Sequence, residues 1–164
     1  MAIPLPAVSL AMAAETGVTA PEVFIQQHHE HSPLTYSNPV SLGNGTLIRY
    51  GVDRRNNRLH TQTSSDGGRT WGKQKPECEV LPGTYMVMPQ LSREGEIHLA
   101  SMVGRGDGRK IAVDRFIDIW HQRTTGKRAN WEKPNVIFQG YCGALIDFKQ
   151  LGTGRLVCPF AWWV

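Results

Sequence analysis

The chain has 164 residues, and Lys plus Arg outnumber Asp plus Glu by 18 to 14, for a net charge of +4 and a pI near 9.2. No apolar stretch approaches the ~18 residues of a membrane-crossing helix, which excludes that class. Seventeen Gly and ten Pro give the turn density of an all-β protein with many short strands, and the three Cys lack the C-x-x-C spacing of a zinc or redox site.

Residues 1–33 read as a leader. Met1 to Ala14 is apolar and ends in small residues like those of a signal-peptidase site, without a basic n-region, so a secreted or periplasmic location is expected. A polar lead-in follows, Gln26-Gln27-His28-His29-Glu30-His31-Ser32-Pro33. Three imidazoles and a carboxylate could serve proton transfer, with His31 and Tyr36 as catalytic candidates; the alternative is a solvated segment before the first strand. No second cluster with ligand spacing appears, so no metal or cofactor is expected.

From Leu34 onward, short apolar runs alternate with Gly turns. Pro39-Val40-Ser41-Leu42-Gly43-Asn44-Gly45-Thr46-Leu47 is echoed fifty residues later from Pro89 to Ile97 and again from Ala144 to Phe160. Asn44-Gly45-Thr46 is a sequon, but its place between two strands favours an Asn-Gly turn. Ser64 to Trp71, S-S-D-G-G-R-T-W, has the logic of a tight hairpin turn: Asp66 caps backbone N–H groups, Gly68 takes a positive φ, Ser64 and Thr70 bond across the mouth, and Trp71 leaves to pack between sheets. Sixty residues on, Thr124 to Trp131 keeps the hydroxyl and the Trp. A period of 50 to 60 residues with four strand-like runs per unit predicts propeller blades over residues 34–80, 85–138 and 140–164. The last run, Ala161-Trp162-Trp163, stops mid-strand. About two and a half four-stranded blades of a larger ring are therefore expected, completed by remaining blades or by self-association.

In such blades the turn of Asp66 belongs to the face away from chemistry. Residues before the inner strands (Tyr36, Ser37, Tyr85, Tyr141) and in the loops between second and third strands (Asp53, Arg54, Arg105) belong to the other face. Tyr85 and Tyr141 are candidates for sugar stacking, or for plugging the central channel. The loop Gly104 to Lys110 lacks the G-K-[ST] ending of a phosphate loop. Cys142 and Cys158 read as buried free thiols.

The pattern S-x-D-x-G-x-T-W at Ser64 to Trp71 matches the Asp-box, and with Tyr36 to Leu42, Gly45-Thr46-Leu47 and Asp53-Arg54-Arg55 the chain resembles the sialidase (neuraminidase) superfamily over Tyr36 to Val164. The resemblance implies a six-bladed ring and a glycosidase acting on a terminal sialic acid or related acidic sugar. It implies Asp53 as the acid/base carboxylate and Arg54 or Arg49 as substrate contacts. The family's first carboxylate-gripping Arg falls on Ser37, which departs from the pattern. The alternatives are a polysaccharide lyase or a non-catalytic propeller that binds glycan or protein. The expected partner is carbohydrate, not nucleic acid.

Overall fold

The computed structural model describes residues 34–105, 116–125 and 130–162, and among these it contains strands and turns but no helix. The leader, including His31, and the loop after Arg105, residues 106–115, lie outside the described residues.

Blade one is a meander. Its inner strand comes in two pieces, β1 (Leu34–Tyr36) and β2 (Val40–Gly43), which both pair with β3 (Thr46–Asp53); β4 (Arg58–Ser64) and β5 (Lys75–Glu79) follow. The turn from β2 to β3 carries Asn44 and Gly45 at φ 50° and 72°, the paired positive φ of a tight hairpin, so the Asn-Gly reading holds. Blade two repeats the plan with β6 (Thr84–Leu91), β7 (Ile97–Arg105) and β8 (Phe116–Thr125); β9 (Asn130–Trp131) and β10 (Asn135–Phe138) both pair with β8. The third unit is an interrupted hairpin. β11 (Cys142–Leu145) pairs with β14 (Phe160–Trp162), and β12 (Lys149–Gln150) pairs with β13 (Leu156–Val157).

Strand periodicity explains how the units stack. Successive side chains point to opposite faces, so a strand buried on both sides reads as one apolar run. β7, Ile-His-Leu-Ala-Ser-Met-Val, is that strand. Its Ile97 and Leu99 join Ile48, Tyr50, Val52 and Leu59 of blade one in one core, while Ala100 and Met102 join Ile119, Cys142, Leu145 and Phe148 in the other. Leu59, Ile97, Leu99 and Ile119 are wholly buried, each contributing about 1.5–3 kcal/mol. Trp131 packs on the first core and meets the Tyr50 ring edge-on at 6.3 Å. Three inner strands converge on a cavity of about 400 Å³ lined by Asn38, Val40, Met88, Gln90, Ile146 and Lys149. Sheets stacked around a shared axial cavity are the arrangement of propeller blades.

Two side-chain groups occupy the blade faces. Between blades two and three, His98 Nδ1 and His121 Nε2 lie 3.0 Å apart. Their rings are 19° from parallel with centroids 5.2 Å apart; at that separation the rings meet edge to edge through the nitrogens rather than face to face. His121 also meets Phe148 of the third unit at 6.1 Å. On the face of blade one turned away from blade two, the Arg49 guanidinium lies 4.2 Å from the Tyr36 ring and 4.1 Å from the Trp71 ring. It donates to Gln62 Oε1 through Nε at 3.1 Å and NH2 at 2.8 Å.

The Ser64–Trp71 turn joins β4 to β5 through its own side chains. Ser64 Oγ donates to Asp66 Oδ1 at 2.7 Å and accepts from Gly68 N at 2.8 Å. Asp66 accepts from Thr70 N at 2.9 Å and Thr70 Oγ1 at 2.6 Å. Ser64 and Thr70 therefore bond through Asp66 rather than directly to each other. Gly68 stands at φ 94°. Trp71 departs from expectation: it lies on Arg49 of its own sheet, and Trp131 is the residue that packs between sheets.

Candidate functional site

β3 and β4 pair from Leu47 opposite Ser64 to Asp53 opposite Arg58, so the Asp66 turn and the Asp53 turn stand at opposite ends of the blade. The candidate site is at the Asp53 end, where the loops between second and third strands meet the linkers between blades.

Asp53 closes the β3–β4 turn. Its Oδ1 accepts from Arg55 N at 3.0 Å and its Oδ2 from Asn56 Nδ2 at 2.8 Å. The Asn56 amide, then the Arg55 backbone N–H, hold its carboxyl below the ordinary carboxylate range. At neutral pH it is a carboxylate. Arg54 beside it is exposed.

Tyr85 occupies a β-bulge. Thr84 pairs with Val103 and Met86 with Met102, leaving Tyr85 unpaired between them, the device by which a strand re-aims a side chain. Its hydroxyl points to Met102 Sδ at 3.8 Å. Burial, then the neighbouring Cys142 and Tyr141, push the phenol up, and Arg54 opposes them. Cys142 packs in the same core as Tyr85, Tyr141 and Arg54 lie within electrostatic reach of it, and Tyr85 stays a neutral phenol suited to stacking and hydrogen bonding. Tyr141 follows the linker into the third unit and bridges Ile117.

Tyr36 and Arg49 belong elsewhere. Tyr36 is in the strand rather than before it, paired with Gly51, and its ring fills the space that a Cβ at 51 would enter, 2.7 Å from its ring edge. It lies flat on the blade's outer face with Arg49. Burial lowers the Arg49 guanidinium below its ordinary range, and among the described residues it pairs with no carboxylate. Ser37 takes part in the sheet: its N donates to Tyr50 O at 2.7 Å and its Oγ accepts from Tyr50 N at 3.1 Å.

One residue at this end escaped the sequence reading. Asp118 is fully buried in β8 and holds Arg105. The signal was an acidic residue inside the apolar run Phe-Ile-Asp-Ile-Trp. All three Cys are free, with Cys142 buried and Cys78 and Cys158 partly so. Burial pushes the thiols of Cys78 and Cys158 up to about 11, which makes them packing groups rather than nucleophiles. Among the described residues, no group of three or more His, Cys, Asp or Glu is placed to hold a metal ion, and no helix is long and apolar enough to cross a membrane.

No protein-family model matches the chain, and no curated protein does. Among solved structures it is similar to an α-L-arabinofuranosidase of Fusarium graminearum in complex with arabinobiose, at 18% identity and TM-score 0.43, covering 63% of this chain and 32% of that one. It is also similar to an α-L-arabinanase of Penicillium chrysogenum complexed with arabinobiose, at 16% identity and TM-score 0.44, covering 77% of this chain and 35% of that one. The chain spans about a third of the length of these solved chains.

Proposed function

We propose that this chain is part of a carbohydrate-active β-propeller, a glycosidase whose sugar site is built at the Asp53 end of the blades. The observation that carries this reading is the β-bulge at that end, which leaves Tyr85 unpaired between Thr84 and Met86 and re-aims its ring, with Tyr141 and Arg54 within electrostatic reach of its hydroxyl. Two phenols offer faces to a sugar ring and hydroxyls to its oxygens, and the guanidinium supplies fixed donors. Asp53, held as a carboxylate on the adjoining turn, is the candidate proton acceptor. An exported location accords with glycan substrates.

Within that class, a sialidase-type activity on an acidic sugar rests on the motif resemblance and on the basic charge of the chain. Ser37 and the outward-facing Arg49 favour a second reading, a neutral sugar, because neither supplies the guanidinium that would grip a carboxylate at this end.

The test is titration of the chain with 3′-sialyllactose and with arabinobiose by heteronuclear NMR, beside release of fluorophore from a sialoside and an arabinofuranoside. Saturable shifts confined to Arg54, Tyr85 and Tyr141, lost in Tyr85→Ala, support the reading. Shifts confined to the Ser64–Trp71 turn, or none with either sugar, overturn it.

A further inference from the structure

Asp118 stands between Ile117 and Ile119 with 0% of its surface exposed. A carboxylate in that position must be answered by charge and by hydrogen bonds. Arg105, the last residue of β7, answers with the two nitrogens of one guanidinium edge. Its NH2 donates to Oδ1 at 2.9 Å, and its Nε forms an ion pair with Oδ2. The remaining partner comes from the linker into the third unit, where Gly140 N donates to Oδ1 at 3.2 Å. The Gly140 carbonyl accepts from Ile117 N at 2.7 Å, and Tyr141 bridges Ile117. One carboxylate therefore ties together the end of β7, the start of β8 and the backbone that presents Tyr141.

Arg105 itself is not buried. Its side chain is 48% exposed, and its guanidinium lies 5.0 Å from the Phe116 ring. With Nε and NH2 directed at Asp118, NH1 is the edge left for a ligand. The pair is neutral as a whole, so a carboxylate ligand gains little here and competes with Asp118 for the same fork. A sugar hydroxyl meets a rigid donor without that competition.

We propose that Asp118 is a positioning residue of the sugar site: it fixes Tyr141 and Arg105 at the mouth and makes this corner selective for the hydroxyls of a neutral sugar. The selectivity rests on the carbohydrate reading above, whereas the positioning can be measured without any sugar.

The experiment uses the whole chain with Asp118→Asn, which keeps an acceptor for Gly140 but loses the charge, and Arg105→Lys, which keeps the charge but loses the fork. Hydrogen exchange by NMR is expected to show the Ile117 and Gly140 amides exchanging about tenfold faster in Asp118→Asn, the size of one lost charge-assisted bond, with Ile48 and Leu99 unchanged. Arabinobiose binding weakens about tenfold in the same variant, while 3′-sialyllactose binding holds or strengthens as Arg105 is released. Arg105→Lys gives the same local pattern at smaller size, and it carries the test if Asp118→Asn does not fold. Unchanged exchange at Ile117 and Gly140 overturns the proposal, as does uniform acceleration that includes Ile48 and Leu99. Tighter wild-type binding of 3′-sialyllactose than of arabinobiose overturns the selectivity. If the wild type binds neither sugar, the carbohydrate reading and the selectivity fall together, and exchange alone decides the positioning.

Discussion

Ser64 contributes through a single oxygen that both donates to Asp66 and accepts from the buried Gly68 N–H. Ser64→Ala strands that N–H away from water, so it is expected to cost about 1–3 kcal/mol, read as a lower urea midpoint at unchanged slope. Asp66 adds a pH signature. Hydrogen bonds from the Thr70 hydroxyl, then the Thr70 backbone, then Ser64, hold its carboxyl well below the usual range. A depressed folded-state value means stability that is present above the unfolded value of about 3.9 and lost as pH falls below it. Asp66→Asn should therefore lower the melting temperature at neutral pH and flatten its decline below about pH 4; parallel melting curves for the two proteins would count against this. The network was legible because all its partners fall within seven residues of chain. The position of Trp71 was not, because its neighbour Arg49 comes from another strand.

Strands and linkers carry the next level. Gly83, in the linker between blades one and two, has φ 86°, and a Cβ there would stand 2.3 Å from Gly104 O. Gly67 has φ 72° with open space around it. Alanine at either position meets the left-handed penalty of about 1 kcal/mol, but only at 83 must backbone also move. Gly83→Ala is accordingly expected to lower the melting temperature several degrees more than Gly67→Ala, and equal losses would contradict the close approach. Leu99→Ala removes a wholly buried side chain from the first core and should cost about 2–5 kcal/mol by denaturant titration. The all-β class was readable from Gly and Pro spacing and from the alternation that changes to a continuous run at β7. The Tyr85 bulge was not, since an unpaired residue is defined only by its partner strand. Asp118 was hidden for a similar reason, its partners lying at Arg105 and Gly140.

For the molecule as a whole, the seam between blades two and three carries a pair of titratable groups in the neutral pH range. His98 and His121 share a short nitrogen contact that needs at least one neutral ring. Burial, chiefly, holds both imidazoles below their ordinary value; Arg123 presses the same way, while Glu96, Glu94 and Glu132 oppose it at His98 and Glu132 at His121. The fold thus favours the neutral pair, and stability present above the unfolded value of about 6.5 declines as pH falls through it. The melting temperature should drop between about pH 7 and pH 5, with a smaller drop in His121→Asn; identical profiles would remove the pair as the cause. Neither histidine announced this in the sequence, because 23 residues and a strand pairing separate them.

The two blades also differ in how they present their leading faces. Blade two puts wholly buried Leu99 against its neighbour, and at the matching place blade one holds Arg49 between two aromatic rings. A greasy surface laid on Arg49 would strip water from a cation that no described carboxylate answers. A cover on that face would have to bring an anion or keep a layer of water, whereas the face toward blade two is closed by apolar side chains.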